Sequence, residues 1–398
     1  MSLADAVSPQ RTRFPRALPQ SLDSVIDQAL AERRLVGAVI LIAQDGERIY
    51  HRAAGLADRE AGRPMHKDAL FRLASVSKPI VSAAALTLIA QGRLRLDDRV
   101  DQWLPAFRPR LPDGTVPDIT IRHLMTHTAG LSYRFFQPEG GFYARAGVSD
   151  GMDRVQFGLD ENLRRIAEAP LLYAPGTAWA YSIATDVLGA VIERVAEARL
   201  DQAVRTLVTA PLGMDDTAFV AVDPQRLTAA YANAQPAPRR LADADHIPFV
   251  DRTAGFRLAP HRALDAAAFP SGGAGMVGSA GDLLRLLEIL RTGGAPLLPA
   301  SLVDEMARNQ IGDHAMAYWP GCGFGLGFTV LKDPVAAASP ESVGTWRMGG
   351  TYGHAWFVDP ARKLSVVALT NTALEGMSGA FVTQLRDAVY AGLAEAQR

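Results

Sequence analysis

Ser75-Val76-Ser77-Lys78 sets a hydroxyl and an amine three positions apart, at the head of the apolar run Pro79-Ile80-Val81-Ser82-Ala83-Ala84-Ala85-Leu86-Thr87-Leu88-Ile89-Ala90. The run lacks Gly and is rich in Ala and Leu, which predicts a buried helix. Residues three apart on a helix are neighbours, with Cβ atoms roughly 5–6 Å apart. Ser75 and Lys78 then share one face at the helix N-terminus. A serine hydroxyl is a poor nucleophile at neutral pH, and an adjacent amine takes its proton once burial has lowered the amine's pKa. The free N–H groups of a helix N-terminus favour negative charge on an attacking oxygen or an oxyanion. Read alone, the tetrad also fits a Ser N-cap followed by an exposed Lys.

Other segments decide between these readings. Pro175-Gly176-Thr177-Ala178-Trp179-Ala180-Tyr181-Ser182-Ile183 opens with a Pro-Gly turn and presents Tyr181 just before a helical run. A phenol, with a reference pKa near ~10, acts as a general base only if nearby cations lower it. Lys78 is the expected cation; the alternative is a Tyr packed between turn and helix. Gly349-Gly350-Thr351-Tyr352-Gly353 follows a strand that begins at Trp346. Paired glycines in a strand mark a close approach to something else, here substrate, or else a β-bulge. A strand N–H at this point could form half of an oxyanion hole. In His123-Leu124-Met125-Thr126-His127-Thr128-Ala129-Gly130-Leu131 the two His are four apart, but Leu124 stands where a zinc protease needs Glu. Both His are therefore expected to be structural, capping or bonding within the turn.

The elements that must position these residues follow from periodicity. Residues 21–35 predict an amphipathic helix with Leu22, Val25, Ile26, Ala29 and Leu30 on one face. Val39 to Ala43 and Arg48 to Ala53 flank Asp45-Gly46 and predict a hairpin. Helices are expected over 160–169, 183–197, 275–290 and 380–394, and strands over 325–331, 345–348, 354–358 and 364–369. Strands thus lie at both ends of the sequence. The simplest assembly is α+β: one antiparallel sheet built from both termini and flanked by the terminal helices. Residues 1–104 and 270–398 would form it, with 105–269 as an inserted, mainly helical, loop-rich region.

Bulk composition narrows the function. The chain of 398 residues is 48% hydrophobic and 21% charged, an ordinary globular composition. With 41 Lys+Arg against 42 Asp+Glu there is no basic excess to track a phosphate backbone, so nucleic acid is not an expected partner. Cys322 is the only cysteine, which suits a reducing compartment and leaves it as a packing residue. The first residues lack the charged and apolar regions of a signal peptide, and no apolar stretch reaches the roughly 18 residues of a membrane span. The expected location is cytoplasmic, with no membrane association.

Taken in order, Ser75-x-x-Lys78, His123-Leu124-x-Thr126-His127-Thr128-x-Gly130-Leu131, Pro175-Gly176-x-x-Trp179-x-Tyr181-Ser182, Pro211-Leu212-Gly213-Met214 and Ser271-Gly272-Gly273-Ala274-Gly275-Met276 are similar to the motifs of serine hydrolases with the class C β-lactamase and penicillin-binding fold. The resemblance runs from about Val25 to about Leu393, and its nearest branch is the family VIII carboxylesterases. It implies a β-lactamase-like fold, Ser75 as nucleophile, Lys78 and Tyr181 as the base, and backbone N–H groups of Ser75 and Thr351 as the oxyanion hole. It implies a pocket bordered by Tyr133, Phe136, Ile183, Met348, Gly349, Gly350 and Tyr352, with Phe135 and Phe142 nearby. It implies no metal or organic cofactor, a small-molecule ester as partner, and no particular oligomeric state.

Two departures point toward esters. Ile183 stands where lactamases have an amide-binding Asn. Met348 stands where they have a Lys that holds the drug's carboxylate, and where the esterase branch often has Trp. Arg347 is adjacent but should face away, because side chains alternate across a strand. A serine carboxylesterase is therefore the expected activity. The alternatives are a β-lactamase or D-amino-acid peptidase, an acyltransferase using an alcohol acceptor, and a non-catalytic ligand-binding protein. Gly147-Val148-Ser149-Asp150-Gly151 also matches G-x-S-x-G, yet it lacks the buried strand and following helix of a nucleophile elbow. Ser149 is expected to be structural.

Overall fold

The computed structural model describes residues 17–395. Its main sheet has eight strands, numbered in chain order: β1 (Gly37–Gln44), β2 (Glu47–Asp58), β3 (Arg63–Pro64), β4 (Cys322–Phe324), β5 (Thr329–Leu331), β6 (Trp346–Gly350), β7 (His354–Asp359) and β8 (Leu364–Thr370). The spatial order is β4-β5-β6-β7-β8-β1-β2-β3, antiparallel throughout. The N-terminal hairpin closes on the C-terminal strand, with Ala38 opposite Thr370 and Gln44 opposite Leu364. The expected α+β sheet drawn from both ends of the chain is thus present. Asp45 and Gly46 turn the hairpin with φ of 52° and 84°, as a tight two-residue turn requires.

Among the described residues, six helices have ten or more residues: α1 (Ala17–Ala31), α2 (Ser77–Ala90), α3 (Leu159–Glu168), α4 (Ala184–Ala196), α5 (Ala280–Arg291) and α6 (Ala380–Glu395). Alternation along the strands divides them between two cores. Ile40, Ile42, Val366 and Ala368 meet Leu22 and Ile26 of α1 and Phe381 and Leu385 of α6. Val39, Leu41, Val367 and Leu369 face the opposite way, into a core with Ile80 and Leu86 of α2 and Leu283 and Leu287 of α5. Every residue of α2 from Ser77 to Leu88 is buried, so the helix is apolar on all sides rather than amphipathic. Among the described residues no helix is long and apolar enough to cross a membrane.

Three elements differ from expectation. α1 ends at Ala31 rather than running to 35, and Arg33 has φ 56°. The expected strand over 325–331 is interrupted, because Gly325 to Phe328 turn between β4 and β5. Gly327 has φ 116°, and a Cβ there would lie 2.3 Å from Ser82 Oγ, so the turn presses directly on α2. The expected helix from 275 begins only at Ala280, where the Ser279 side chain caps the Asp282 N–H. Val277-Gly278 instead pair with Phe71-Arg72, which anchors the chain just ahead of Ser75.

Candidate active site

Ser75 lies in a single 3-10 turn, Ala74–Val76, that leads into α2 at Ser77. The expected helical start at Ser75 is thus one short turn too early; Ala74, at φ 48°, reverses the chain there. The turn is held from both sides. Leu73 N–H donates to Met276 O at 2.8 Å, and Met276 N–H donates to Ser77 Oγ at 3.1 Å. Lys78 points back along the face that carries Ser75. Its Nζ lies 3.2 Å from Ser75 Oγ and 2.8 Å from Gly273 O. Lys78 is fully enclosed, and burial drives its amine below the ordinary lysine pKa, while Asp186 and Asp150 hold it partly up.

Tyr181 joins the pair, with its ring centroid 4.6 Å from Lys78 Nζ. The expectation that Lys78 lowers this phenol is not met. Burial pushes Tyr181 above the usual tyrosine range, and only the Ser75 hydroxyl pulls it back. His127 braces the segment. Its Nδ1 accepts from Ser182 N–H at 3.2 Å and lies 3.1 Å from Ser182 Oγ, and its ring centroid is 4.8 Å from that of Tyr181. Burial, aided by Lys78, keeps this imidazole neutral. His123 caps its own short helix, with Thr120 N–H donating to its Nδ1 at 3.2 Å. Neither His therefore acts as a ligand; His127 braces a different segment from its own turn.

The glycine pair on β6 contacts protein rather than open space. Register with β7 is unbroken from Trp346–Val358 to Gly350–His354, so there is no bulge. A Cβ on Gly350 would lie 2.5 Å from Leu73 O, and one on Gly349 would lie 2.7 Å from Met377 Cγ. The strand thus lies against the turn that carries Ser75. His354 on β7 strengthens the junction, its Nε2 donating to Arg72 O at 2.7 Å. Pairing stops at Gly350, and the next residue, Thr351, borders the same cavity as Ser75.

That cavity has a volume of about 380 Å³. Of the expected lining residues, Phe135, Phe136, Met348 and Gly349 border it, together with Ser75, Tyr181 and Thr351. The others lie behind its wall. Tyr133 is buried and stacks on Phe135 at 4.5 Å. Ile183 is fully buried in the core at the head of α4. Gly350 is covered by Leu73, and Tyr352 is buried beside Arg72 and Arg262. Phe142 is 51% exposed and covered by Arg145, away from the cavity. Arg347 is on the opposite face of β6 from Met348 but borders the cavity too, paired at 2.9 Å with the buried Glu341 and with Cys322 Sγ at 3.2 Å.

Nine further aromatics border it: Trp179, Phe249, Phe256, Tyr318, Trp319, Phe324, Trp356, Phe357 and Phe381. Phe136 stacks on Tyr318 at 5.5 Å, and Trp319 lies 5.9 Å from Tyr181. Trp179 belonged to a motif already noted. Phe249, Tyr318 and Trp319 lie on irregular segments with no periodic signal, whereas Phe256, Phe324, Trp356 and Phe357 lie on strands and Phe381 on α6. Ser149 is far from this chemistry in character: it is fully buried, bonds Asp153, and its backbone is clamped by the Asn162 amide at 2.9 and 3.0 Å. Gly147 and Gly151 supply positive φ of 67° and 79° to that loop, which explains the motif without a nucleophile.

The chain is 54% identical over 376 residues to Esterase EstB of Burkholderia gladioli, covering 94% of this chain and 96% of that protein. It superposes with a TM-score of 0.92 and 48% identity on the structure described as EstCE1, a hydrolase with promiscuous acyltransferase activity, covering 94% and 99% of the two chains. Unliganded simvastatin synthase (LovD) from Aspergillus terreus shares the fold at a TM-score of 0.74 and 21% identity, over 96% of this chain and all of that one. The Beta-lactamase family model matches residues 22–391, and this chain belongs to that family.

Proposed function

We propose that the protein is a serine carboxylesterase that hydrolyses neutral esters through an acyl-enzyme on Ser75. Neutral Lys78, 3.2 Å away, takes the Ser75 proton as the hydroxyl attacks the ester carbonyl. The carbonyl oxygen becomes an oxyanion held by the N–H groups of Ser75 and Thr351. Tyr181, kept as a phenol by burial, passes a proton to the leaving alkoxide and is replenished from Lys78. Water then attacks the acyl-enzyme with Lys78 as base, and Ser75 is released. The observation that carries this reading is the enclosed Ser75–Lys78–Tyr181 cluster opening into an apolar, aromatic cavity.

That same wall favours a second outcome for the acyl-enzyme. An apolar alcohol partitions into an aromatic cavity better than water does, so acyl transfer to alcohol acceptors would accompany hydrolysis. The family relation to EstB and EstCE1 supports both reactions. The test is a panel of p-nitrophenyl esters with nitrocefin alongside, repeated with an added alcohol. Rapid ester turnover with little nitrocefin turnover is expected. Nitrocefin hydrolysis at the rate of the best ester would overturn the proposal.

A further inference from the structure

Beside Lys78 lies a cluster of buried polar side chains that the mechanism above does not use. Asp186 stands in the first turn of α4 and is fully enclosed. Neither of its carboxyl oxygens makes a hydrogen bond of good geometry with the protein. The hydroxyls of Ser271 and Tyr133 beside it are buried and unpartnered as well. Gly273 locates them. A Cβ on it would lie 2.5 Å from Asp186 Oδ2 and 2.8 Å from Tyr133 OH, and its carbonyl is the one that accepts from Lys78. Gly151 closes the other side, where a Cβ would lie 2.0 Å from Ser271 Oγ and 3.5 Å from Asp186 Oδ1. A buried carboxyl left this poorly bonded is costly unless its charge is used.

The charged neighbours are few. Lys78 is faced by Asp186 from α4, by Asp150 from the 147–151 loop and by the neutral His127, with Tyr133 and Tyr181 over its amine at 5.2 and 4.6 Å. Asp150 is already occupied. It accepts the N–H groups of Arg134 and Phe135 at 2.9 and 3.1 Å and lies 3.9 Å from the Arg134 guanidinium. Asp186 feels Arg262 besides Lys78. Burial raises its carboxyl, and the Ser271 hydroxyl and Lys78 pull it back.

We propose that Asp186 is a positioning residue for the reaction, setting how strongly Lys78 binds its proton from within the buried cluster it forms with Ser271 and Tyr133. The inference rests on Lys78 being the base. The bond changes are those of one proton: it moves from Ser75 Oγ to Lys78 Nζ, and the negative carboxylate steadies the ammonium until the proton passes to Tyr181 and the leaving oxygen. Without the carboxylate the amine is a weaker base that stays free to lower pH.

The test is the pH profile of kcat/KM, whose acid limb reports the base of the free enzyme. Asp186→Asn keeps the shape and removes the charge. It should move the acid limb down by about one pH unit, the low end for losing a neighbouring opposite charge. The plateau should fall by at most about tenfold, since the base is that much weaker. Ser271→Ala removes a hydroxyl that favours the carboxylate, so the limb should move the same way by less; it carries the test if Asp186→Asn does not fold. A merely structural role would lower activity and leave the limb in place, and an unmoved limb in folded variants overturns the proposal. Lys78→Ala separates the two readings. If it is inactive while the limb stays fixed in the Asp186 and Ser271 variants, only the role of Asp186 falls. If it retains full activity, the base assignment itself fails.

Discussion

Burial acts in opposite directions on the pKa values of the two groups beside Ser75, which fits the roles proposed for them. It favours the uncharged form of each: a free amine at Lys78 and an un-ionised phenol at Tyr181. The amine can take a proton and the phenol can give one. Ester hydrolysis should therefore rise with pH as Lys78 loses its proton, with an acid limb well below the ordinary lysine pKa of 10.5. A limb near that ordinary value in a kcat/KM profile would contradict an enclosed, lowered amine. Ser75→Ala should abolish turnover. Tyr181→Phe should lower kcat by roughly 10²–10⁴-fold with less effect on KM. Its combination with Lys78→Ala should cost little more than either alone, because the groups act as a unit. Ser149→Ala should keep catalysis and lose stability, since it removes the bond to Asp153 inside a buried loop. Ser75 and Lys78 were legible in the sequence because three-residue spacing puts them on one helix face, whereas Tyr181 came from the resemblance of the ordered motifs. Asp186 was not legible, because a single Asp in a helix's first turn is an ordinary favourable charge.

At the scale of elements, the contact of β6 with the Ser75 turn gives a paired prediction. Gly349→Ala meets Met377 Cγ at 2.7 Å and the His354 carbonyl at 3.2 Å, neither of them on the turn that carries Ser75. Gly350→Ala meets the Leu73 carbonyl, which is backbone two residues from Ser75. Gly349→Ala should be nearly silent in kcat. Gly350→Ala should cost about 1–3 kcal/mol of stability and more than tenfold in kcat, by displacing the turn. Equal kinetics in the two variants would separate the strand from the turn. His354 governs the same junction through pH. Burial lowers its imidazole to about 4, below the ordinary 6.5. The unfolded chain thus binds this proton more readily than the folded one. Its contribution is intact above pH 6.5 and is lost as pH falls from 6.5 to about 4, by up to about 3 kcal/mol. His354→Gln, which retains a donor for Arg72 O, should flatten this part of the acid dependence in urea melts compared with wild type. Hairpin, helices and strands were legible because alternation and turn residues encode them. The 3-10 turn at Ala74 and the break at Gly327 were not, since both arise from contacts with segments distant in sequence: Met276 on one side, Ser82 on the other.

For the whole molecule, the cavity is assembled from segments scattered through the sequence, and that is why its wall was only partly legible. Phe136, Phe249, Trp319 and Met348 come from four segments and meet only when the sheet closes on its own N-terminal hairpin. Motif spacing placed Met348 and Gly349 correctly. It misplaced Ile183, because the position just before α4 turns into the core rather than toward Ser75. The finished wall is largely aromatic, and both guanidiniums that border it are paired, Arg347 with Glu341 and Arg386 with Asp387. Among the described residues, the amine beside Ser75 is Lys78, which burial drives toward its neutral form, so a carboxylate finds no fixed cation there. Burying a charged substrate group there is costly without a partner, whereas an aryl or short alkyl group gains roughly 25 cal/mol per Å² of apolar surface removed from water. Neutral short-chain and aryl esters should therefore be turned over far faster than nitrocefin or penicillins. Met348→Lys places an ammonium on the cavity face of β6. It should tighten binding of carboxylate-bearing substrates by up to about tenfold, a surface-to-buried ion pair being worth on the order of 1 kcal/mol. It should also slow neutral esters, because the new charge raises the local potential at the amine of Lys78 and must itself be desolvated. Competition between p-nitrophenyl butyrate and a penicillin, measured on wild type and variant, reads both effects. A wild type that hydrolyses the penicillin as fast as the ester would show that an apolar wall does not set the choice of substrate.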